Sequence, residues 1–596
     1  MKKLIALSMV LLFTISSITI VVATPEYSWE DGEVYDVAGY SQTSGLDPNT
    51  GVREGRDIVY HNGTWYFYGR YRKSGHTYYG YLLVNTTDYE NPDDPFYVTP
   101  DNAMGDGGWP NWATHWYNKY TDELWFLWNK AYSSSVRDGN AYLTTYNFSN
   151  DTWVFNKLWK EHEADESRYY WHGFCYQPFM HTWTNESGEQ NRLIMPITFK
   201  NVTGGDIGYA KSGLYYSDDY SQTWSCRNST GDIIYVPGAP CDDVEENSIV
   251  EMPNGSLQMQ VRMQGYENEN AYFMWRSFSY DHGITWTDAE RVPEVPIAIT
   301  KSLLRNATLY GRNVYLFYSN HRPEGSAADS WCTARIRSNV SIWLSFDGIN
   351  WTDAPHIINA SYFGQGYDGT GRYVAYGAFI ELNDTLYCSH YRSDTASCGS
   401  VTDLSMWKMF FHPKVLWTNP NIENGTIDVP LDSDFTMDIN DYEGDGITWS
   451  IECSNGQSNS GSGESNGTKT LDLSGLLPNR EYTIWANATG AWLNQTISFE
   501  TEEGVQFTSI NGGTNGSIIY DATPTINWTT VDTASVYWLQ IDDDADFSSP
   551  EINYNDINEY NYPSNCDINT TRVSFVLPVS LSGYDTYYMR VRAYTR

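Results

Sequence analysis

Ser217-Asp-Asp-Tyr-Ser-Gln-Thr-Trp224, Ser279-Tyr-Asp-His-Gly-Ile-Thr-Trp286 and Ser345-Phe-Asp-Gly-Ile-Asn-Trp351 are three copies of one motif. Each sets an Asp two residues after a Ser, follows it with a turn, and closes on Thr or Asn before a Trp. That order suits a β-hairpin in which the Asp side chain bonds the turn amides while the Trp is buried. The starts fall 62 and 66 residues apart. A period of that length signals a repeat architecture, and aromatic strands punctuated by turns point to a propeller rather than a helical solenoid. The stretch from about Thr24 to Pro413 divides by this period into roughly six units, within the usual range of about four to eight blades. Asp219, Asp281 and Asp347 are therefore expected to hold hairpins together, not to do chemistry.

Outward from these motifs the chain stays aromatic and strand-like, as in Gly63-Thr-Trp-Tyr-Phe-Tyr68, Leu124-Trp-Phe-Leu-Trp128 and Asn313-Val-Tyr-Leu-Phe-Tyr318. After Pro413 the texture changes to Asp, Asn, Ser and Gly, and two blocks of about 90 residues follow, each the size of a small β-sandwich. The run Asp438-Ile-Asn-Asp-Tyr-Glu-Gly-Asp-Gly446 has the closely spaced carboxylates that can wrap a structural calcium. The favoured reading is a polar hairpin turn before the strand Ile447–Ile451, and no cofactor is expected.

Met1-Lys-Lys followed by the apolar run Leu4–Val22 reads as a secretory signal over residues 1–23, with cleavage after Ala23 and an uncleaved anchor as the alternative. No second membrane span is visible. Roughly twenty Asn-x-Ser/Thr sequons from Asn62 to Asn569 fit an exported glycoprotein, secreted or at the cell surface. The eight cysteines include no CxxC pair, which favours disulfides over zinc; Cys226 with Cys241 and Cys388 with Cys398 are the local guesses. The net charge of −38 speaks for solubility and against nucleic acid, which needs basic patches. Screening confines that field to about 8–10 Å, so a local arginine cluster can still govern an anionic ligand.

The repeated motif resembles the Asp box of sialidases and their relatives, and the resemblance implies an all-β chain: a six-bladed β-propeller over 24–415 followed by two sandwiches. Leu473-Ser-Gly-Leu-Leu-Pro-Asn-Arg-Glu-Tyr-Thr-Ile484 resembles the approach to strand F of a fibronectin type III domain, with Tyr482 as corner tyrosine, in a module over 416–503. Thr523–Trp528 and Tyr537–Asp542 resemble strands B and C of a second such module over 504–596. Its last run, Tyr587–Arg596, resembles a strand that such domains continue past, so a truncated module is expected.

A sialic acid carries a carboxylate on its anomeric carbon, and planar bidentate arginines hold such a group better than lysines. Arg53-Glu-Gly-Arg-Asp-Ile-Val-Tyr-His-Asn-Gly-Thr-Trp-Tyr66 resembles the first-blade signature of sialidases. The match selects Arg53, with Arg56 as rival, and Glu54 resembles the Glu that lines the sugar pocket of viral neuraminidases. The stretch from Glu246 to Arg262, followed by an Asp box, resembles the fourth-blade signature of bacterial sialidases. Arg337, eight residues before Ser345, resembles the third arginine, with Arg335 equally placed on the same side of a strand. Ala375-Tyr-Gly-Ala-Phe-Ile-Glu-Leu382 resembles the sixth-blade segment carrying the nucleophile, which implies Tyr376, although the family usually has Ser-Asp after that Tyr.

By this resemblance Arg53, Arg262 and Arg337 hold the carboxylate, Tyr376 is the nucleophile and Glu246 its base. A neutral phenol deprotonated by a neighbouring Glu meets less repulsion beside an anionic sugar than a carboxylate would, and sialidases are the tyrosine exception among retaining glycosidases. The family's general acid is an Asp on a loop after the first blade's second strand, whereas Arg70–Gly80 contains no carboxylate. His76, Asp57, Asp101 and Asp106 are the candidates for that role. The first reading is a secreted exo-sialidase-like hydrolase releasing terminal sialic or related nonulosonic acids with retention, its partners sialylated or other acidic glycans. The others are a non-catalytic sialic-acid-binding lectin or adhesin, and a propeller hydrolase or lyase for another acidic sugar.

Overall fold

The computed structural model describes residues 26–38, 52–53, 57–72, 79–88, 96–97, 109–131, 137–161, 163–165, 168–203, 206–241, 243–263, 272–298, 300–321, 339–352, 355–359, 373–393, 402–431, 433–502 and, with gaps, 507–594. Every named element is a β-strand, as the sequence led us to expect.

Between Ser28 and His412, one compact unit, the strands form six sheets. In the first, Val52–Arg53 and Ile58–His61 both pair with the same edge of Thr64–Arg72, which continues to Tyr79–Thr86 and Phe96–Tyr97. The second runs Trp109–Asn118, Glu123–Ala131, Arg137–Asn147, Thr152–Lys160. The third again has a divided inner strand, Arg168–Phe174 and Phe179–Asn185, on the long Gly188–Thr203, with Asp206–Ser217 outside it. The fourth runs Val244–Glu251, Leu257–Met263, Phe273–Ser279, Glu290–Pro296, and the fifth Leu303–Leu309, Arg312–Asn320, Asn339–Ser345, His356–Asn359. The sixth combines Tyr373–Leu382, Thr385–Ser393 and Thr402–Pro413 with the N-terminal Tyr27–Ala38, which hydrogen-bonds to Thr402–Pro413 as the last strand of that sheet.

Each sheet packs on the next, and Tyr373–Leu382 returns to Ile58–His61, so the inner strands close a ring. Apolar side chains fill the seams between sheets: Trp65, Phe67 and Leu404 in one, Val250, Phe317 and Trp343 in another.

The three Asp motifs lie at the ends of the third strands of the third, fourth and fifth sheets. Ser217 Oγ donates to Asp219 Oδ1 (2.8 Å), as does the Thr223 amide (2.8 Å), Thr223 Oγ1 donates to Oδ2 (2.5 Å), and the Trp224 indole closes the turn on the Ser221 carbonyl (3.2 Å). Asp281 repeats this with Ser279, Thr285 and Trp286. Asp347 uses Ser345, the amides of Ile349 and Asn350, and Asn350 Nδ2. The first two copies pass two residues through the left-handed region, Tyr220–Ser221 and His282–Gly283; the third, one residue shorter, needs only Gly348.

The second unit is Met1–Tyr27 with Pro413–Arg596. Its strand Val415–Thr418 already belongs to a three-stranded sheet with Asp434–Asp441 and Gly467–Asp472, set against a five-stranded sheet around Trp417, Phe435, Ile451 and Phe499. A second pair of sheets encloses Trp528, Tyr537, Leu539 and Phe575. The Leu477 amide donates to Tyr482 Oη (2.9 Å), a tie of the kind a corner tyrosine makes. Asp441 accepts the amides of Glu443 and Gly446 (3.0 and 3.1 Å), and Lys414 Nζ meets Glu443 and Asp445, the polar-turn arrangement.

Cys226 and Cys241 are not bonded to one another, contrary to the local guess. Cys226 packs with Trp224 and Tyr215, whereas Cys241 packs against the neighbouring core around Val244 and Met263. Cys388 is likewise a thiol, fully buried; Cys332 and Cys398 lie outside the described residues. So does the signal segment. No helix among the described residues is long and apolar enough to cross a membrane.

Candidate active site

Every inner strand of the ring is interrupted. In the second sheet Asn111 pairs with Asn129 and Thr114 with Leu127, so three steps oppose two. The fourth repeats this between Glu245↔Arg262 and Ser248↔Gln260, and the sixth between Ala375↔Tyr391 and Ala378↔Ser389. In the first, third and fifth sheets the break is longer, lying between Arg53 and Ile58, Phe174 and Phe179, and Ile297 and Leu303. Such bulges interrupt the ladder and re-aim side chains.

Among the described residues, Arg53, Glu246 and Tyr376 of the sequence reading lie at these interruptions, with Arg262 beside one of them. Arg53 is the last paired residue before the break of the first sheet, Glu246 lies in the break of the fourth, and Tyr376 lies in that of the sixth. Arg262 sits across the ladder from Glu245, and its Nη1 donates to Glu246 Oε2 in an ion pair whose side chains are 3% and 2% exposed. Glu246 has φ 53°, a left-handed conformation that costs a non-glycine residue about 1–2 kcal/mol. Its amide is satisfied by Thr198 Oγ1 of the third sheet (2.9 Å). Strain of this kind collects where a side chain must be held in a set place.

Asp57 ends the first break and is buried. Its Oδ2 accepts Thr114 Oγ1 (2.9 Å) and the Gln177 amide (3.0 Å), and its Oδ1 accepts Gln177 Nε2 (2.9 Å) and faces Arg305 Nη2 (3.5 Å). Arg305 Nη1 also donates to the Phe379 carbonyl (2.6 Å). These partners come from the second, third, fifth and sixth sheets. Asp57 thus ties the first sheet not only to the second, its neighbour, but also to the third and fifth, which lie one place further round the ring on either side. Both oxygens of Asp57 accept hydrogen bonds, which fix the carboxylate at the end of the first break.

Lys301, buried in the break of the fifth sheet, donates to the Cys175 carbonyl and stands 3.6 Å over the ring of Tyr176. Cys175 Sγ lies 3.4 Å from Thr198 Oγ1, the group that holds the Glu246 amide. Tyr176, Gln177, Lys301 and Arg305 were missed in the sequence. For Tyr176, Gln177 and Lys301 the signal was present as polar interruptions of strand-like runs, Cys175-Tyr-Gln-Pro178 and Thr300-Lys-Ser302.

Glu54, Arg56, His76, Asp101, Asp106, Arg335 and Arg337 lie outside the described residues.

No protein-family model matches the chain, and no curated protein matches it by sequence. Among solved structures it is similar to a mutant of Trypanosoma rangeli sialidase displaying trans-sialidase activity, at 11% identity over 96% of each chain with a TM-score of 0.43. Trypanosoma rangeli sialidase gives 12% identity over 96% of each chain and a TM-score of 0.42. The catalytic domain of the Coprinopsis cinerea GH62 alpha-L-arabinofuranosidase gives 11% identity over 65% of this chain and 98% of that one, with a TM-score of 0.31.

Proposed function

We propose that this chain is an exported glycoside hydrolase of the sialidase type, releasing terminal sialic or related nonulosonic acids. The observation that carries the reading is the Glu246–Arg262 pair, buried in the break of one inner strand, with the backbones of Arg53 and Tyr376 at the breaks of two others. An arginine, a strained glutamate and a tyrosine at or beside the breaks of three inner strands, in the chain order that the sequence motifs imply, support this reading.

In this reading Arg53, Arg262 and Arg337 bind the sugar carboxylate. Tyr376 Oη attacks the anomeric carbon as the glycosidic C–O bond breaks, and Glu246 takes the phenolic proton. Water then attacks the same carbon, the C–O bond to Tyr376 breaks, and the configuration is retained. The leaving-group proton comes from one of His76, Asp57, Asp101 and Asp106.

The test is hydrolysis of an aryl α-sialoside, whose leaving group needs little help from an acid, by the wild type and by Tyr376→Phe and Glu246→Gln. Turnover that is lost in both variants supports the assignment. The engagement of Asp57 by four donors favours one alternative, a lectin that keeps the pocket without a proton donor. Binding of free sialic acid by a wild type that does not turn over the aryl substrate would select it.

A further inference from the structure

Six short turns join the inner strands to the second strands of their sheets, and four of them carry an Asn-x-Ser/Thr sequon: Asn62-Gly-Thr64, Asn185-Glu-Ser187, Asn254-Gly-Ser256 and Asn383-Asp-Thr385. All four asparagines are exposed. Asn185 Oδ1 accepts the Ser187 amide (2.8 Å), and Asn254 Oδ1 accepts the Ser256 amide and hydroxyl (3.0 and 2.7 Å). The carbonyl oxygen is thus the atom tied to the turn, and Nδ2 is not used by it. The turn itself does not demand a sequon. Tyr310-Gly311 in the fifth sheet, with φ 46° and 74°, matches Asn62-Gly63 at 47° and 79°, yet Arg312 follows it.

These turns share one end of the ring. Along each inner strand the break comes first and the turn follows, as in Val244–Glu251, which is interrupted between Glu245 and Ser248 and turns after Glu251. The bonds of Asp57 and Arg305, with that between Thr198 and Glu246, link residues at or next to the breaks of all six sheets. The turns meet at the opposite end, where Asn118 Nδ2 donates to Ser221 Oγ (2.8 Å) and the Tyr310 amide to Asp384 Oδ1. The sequon Asn150-Asp-Thr152, between the third and fourth strands of the second sheet, belongs to the turn end too, and Asn150 is exposed. Asn201 and Asn339, by contrast, fall within strands, at the end of the sheet where the breaks lie.

We propose that the turn end of the ring is an N-glycosylated face, with Asn62, Asn185, Asn254 and Asn383 as the acceptors, and that the break end, which holds the candidate site, stays bare. The inference rests on the export in the functional reading above and not on its chemistry. Nδ2 bonds to the anomeric carbon of a sugar supplied on a lipid-linked phosphate. The C–O bond to that phosphate breaks, the lipid phosphate leaves with the electron pair, and Nδ2 gives up one proton. A glycan is bulky and needs a surface position. The turns provide one without displacing a ladder or a core side chain, and they direct the sugar away from the end where a substrate would enter.

Glycopeptide mass spectrometry on the full chain, recovered from its own cells, reads the result. Sugar mass is expected on the peptides of Asn62, Asn185, Asn254 and Asn383 and is expected to be missing from those of Asn201 and Asn339. Ser187→Ala should lose the added mass at Asn185 alone, and Ser187→Thr should keep it. Equal occupancy at both ends overturns the proposal, as do unmodified asparagines on an exported chain; neither result touches the sialidase assignment, which the aryl sialoside tests separately. Glycans on the turns of a chain that leaves that substrate intact uphold the proposal while the assignment falls. A chain retained inside the cell without glycans overturns the proposal and the export together.

Discussion

The backbone of Gly377 lies against the ring of Tyr318 so closely that a β-carbon at 377 would overlap the ring and its hydroxyl. Tyr318 is buried and packs in turn against Phe379 and Trp407, with centroids 6.4 and 6.2 Å away. The packing leaves no place for a side chain at 377 beside Tyr318. Gly377→Ala should therefore cost about 1–3 kcal/mol by overpacking and displace the neighbouring Tyr376. Tyr318→Leu in the same chain should recover part of that stability. A double-mutant cycle on Tm reads the coupling, and strict additivity would count against the contact.

The aspartates of the repeated turns should matter for folding and not for turnover. Asp281→Ala removes the acceptor for Thr285 and for the buried Ser279 hydroxyl and loosens the turn, at about 1–3 kcal/mol. Denaturant midpoints should fall while the specific activity of the folded fraction stays constant. A variant that unfolds at the wild-type midpoint would refute the structural role.

Acid should weaken the ring in two stages. Burial holds His115 below its usual range against the pull of Asp57; burial, then the charges of His181 and Arg192, lower His282; burial lowers His321. In each case the unfolded chain binds the proton more readily, so stability is full above about pH 6.5 and declines as pH falls through that value. Burial by itself would raise Asp219, Asp281 and Asp347, but the turn hydrogen bonds outweigh it and hold all three below their usual range. Their contribution is present above about pH 4 and is lost as pH falls further. Tm recorded from pH 8 to pH 3 should show both declines. His282→Asn, which tolerates the left-handed turn at φ 61°, should flatten the upper one.

The Glu246–Arg262 pair should be costly to break from one side. Glu246→Gln or Arg262→Met each leaves a buried charge uncompensated, at about 3–5 kcal/mol, whereas the double variant should lose less than the sum. Chemical denaturation of the four proteins measures this. Full additivity would mean that the two charges act independently.

What could be read beforehand was local or ordered along the chain. The Asp turns place donor and acceptor within four residues, so the motif itself specifies them. Glu246 and Arg262 lie on adjacent strands of one hairpin, and their spacing carries their pairing. The Asp57 cluster was not legible, because Asp57, Gln177 and Arg305 are brought together only when sheets that are not neighbours in the ring meet. The disulfide guess failed for a related reason: nearness in sequence between Cys226 and Cys241 says nothing about which of two cores each thiol enters.

The strand Tyr27–Ala38 is made early in synthesis, yet its partner Thr402–Pro413 is the last strand of the ring to be made. Until that partner emerges, the earliest strand has an open edge and nothing to pair with, and the sixth sheet is incomplete. The five preceding sheets can form as the chain lengthens, but the final seam waits on a contact between the two ends of the unit, a long-range closure that slows folding. Removing Tyr27–Ala38 would leave every candidate site residue in the chain and deprive the ring of its clasp.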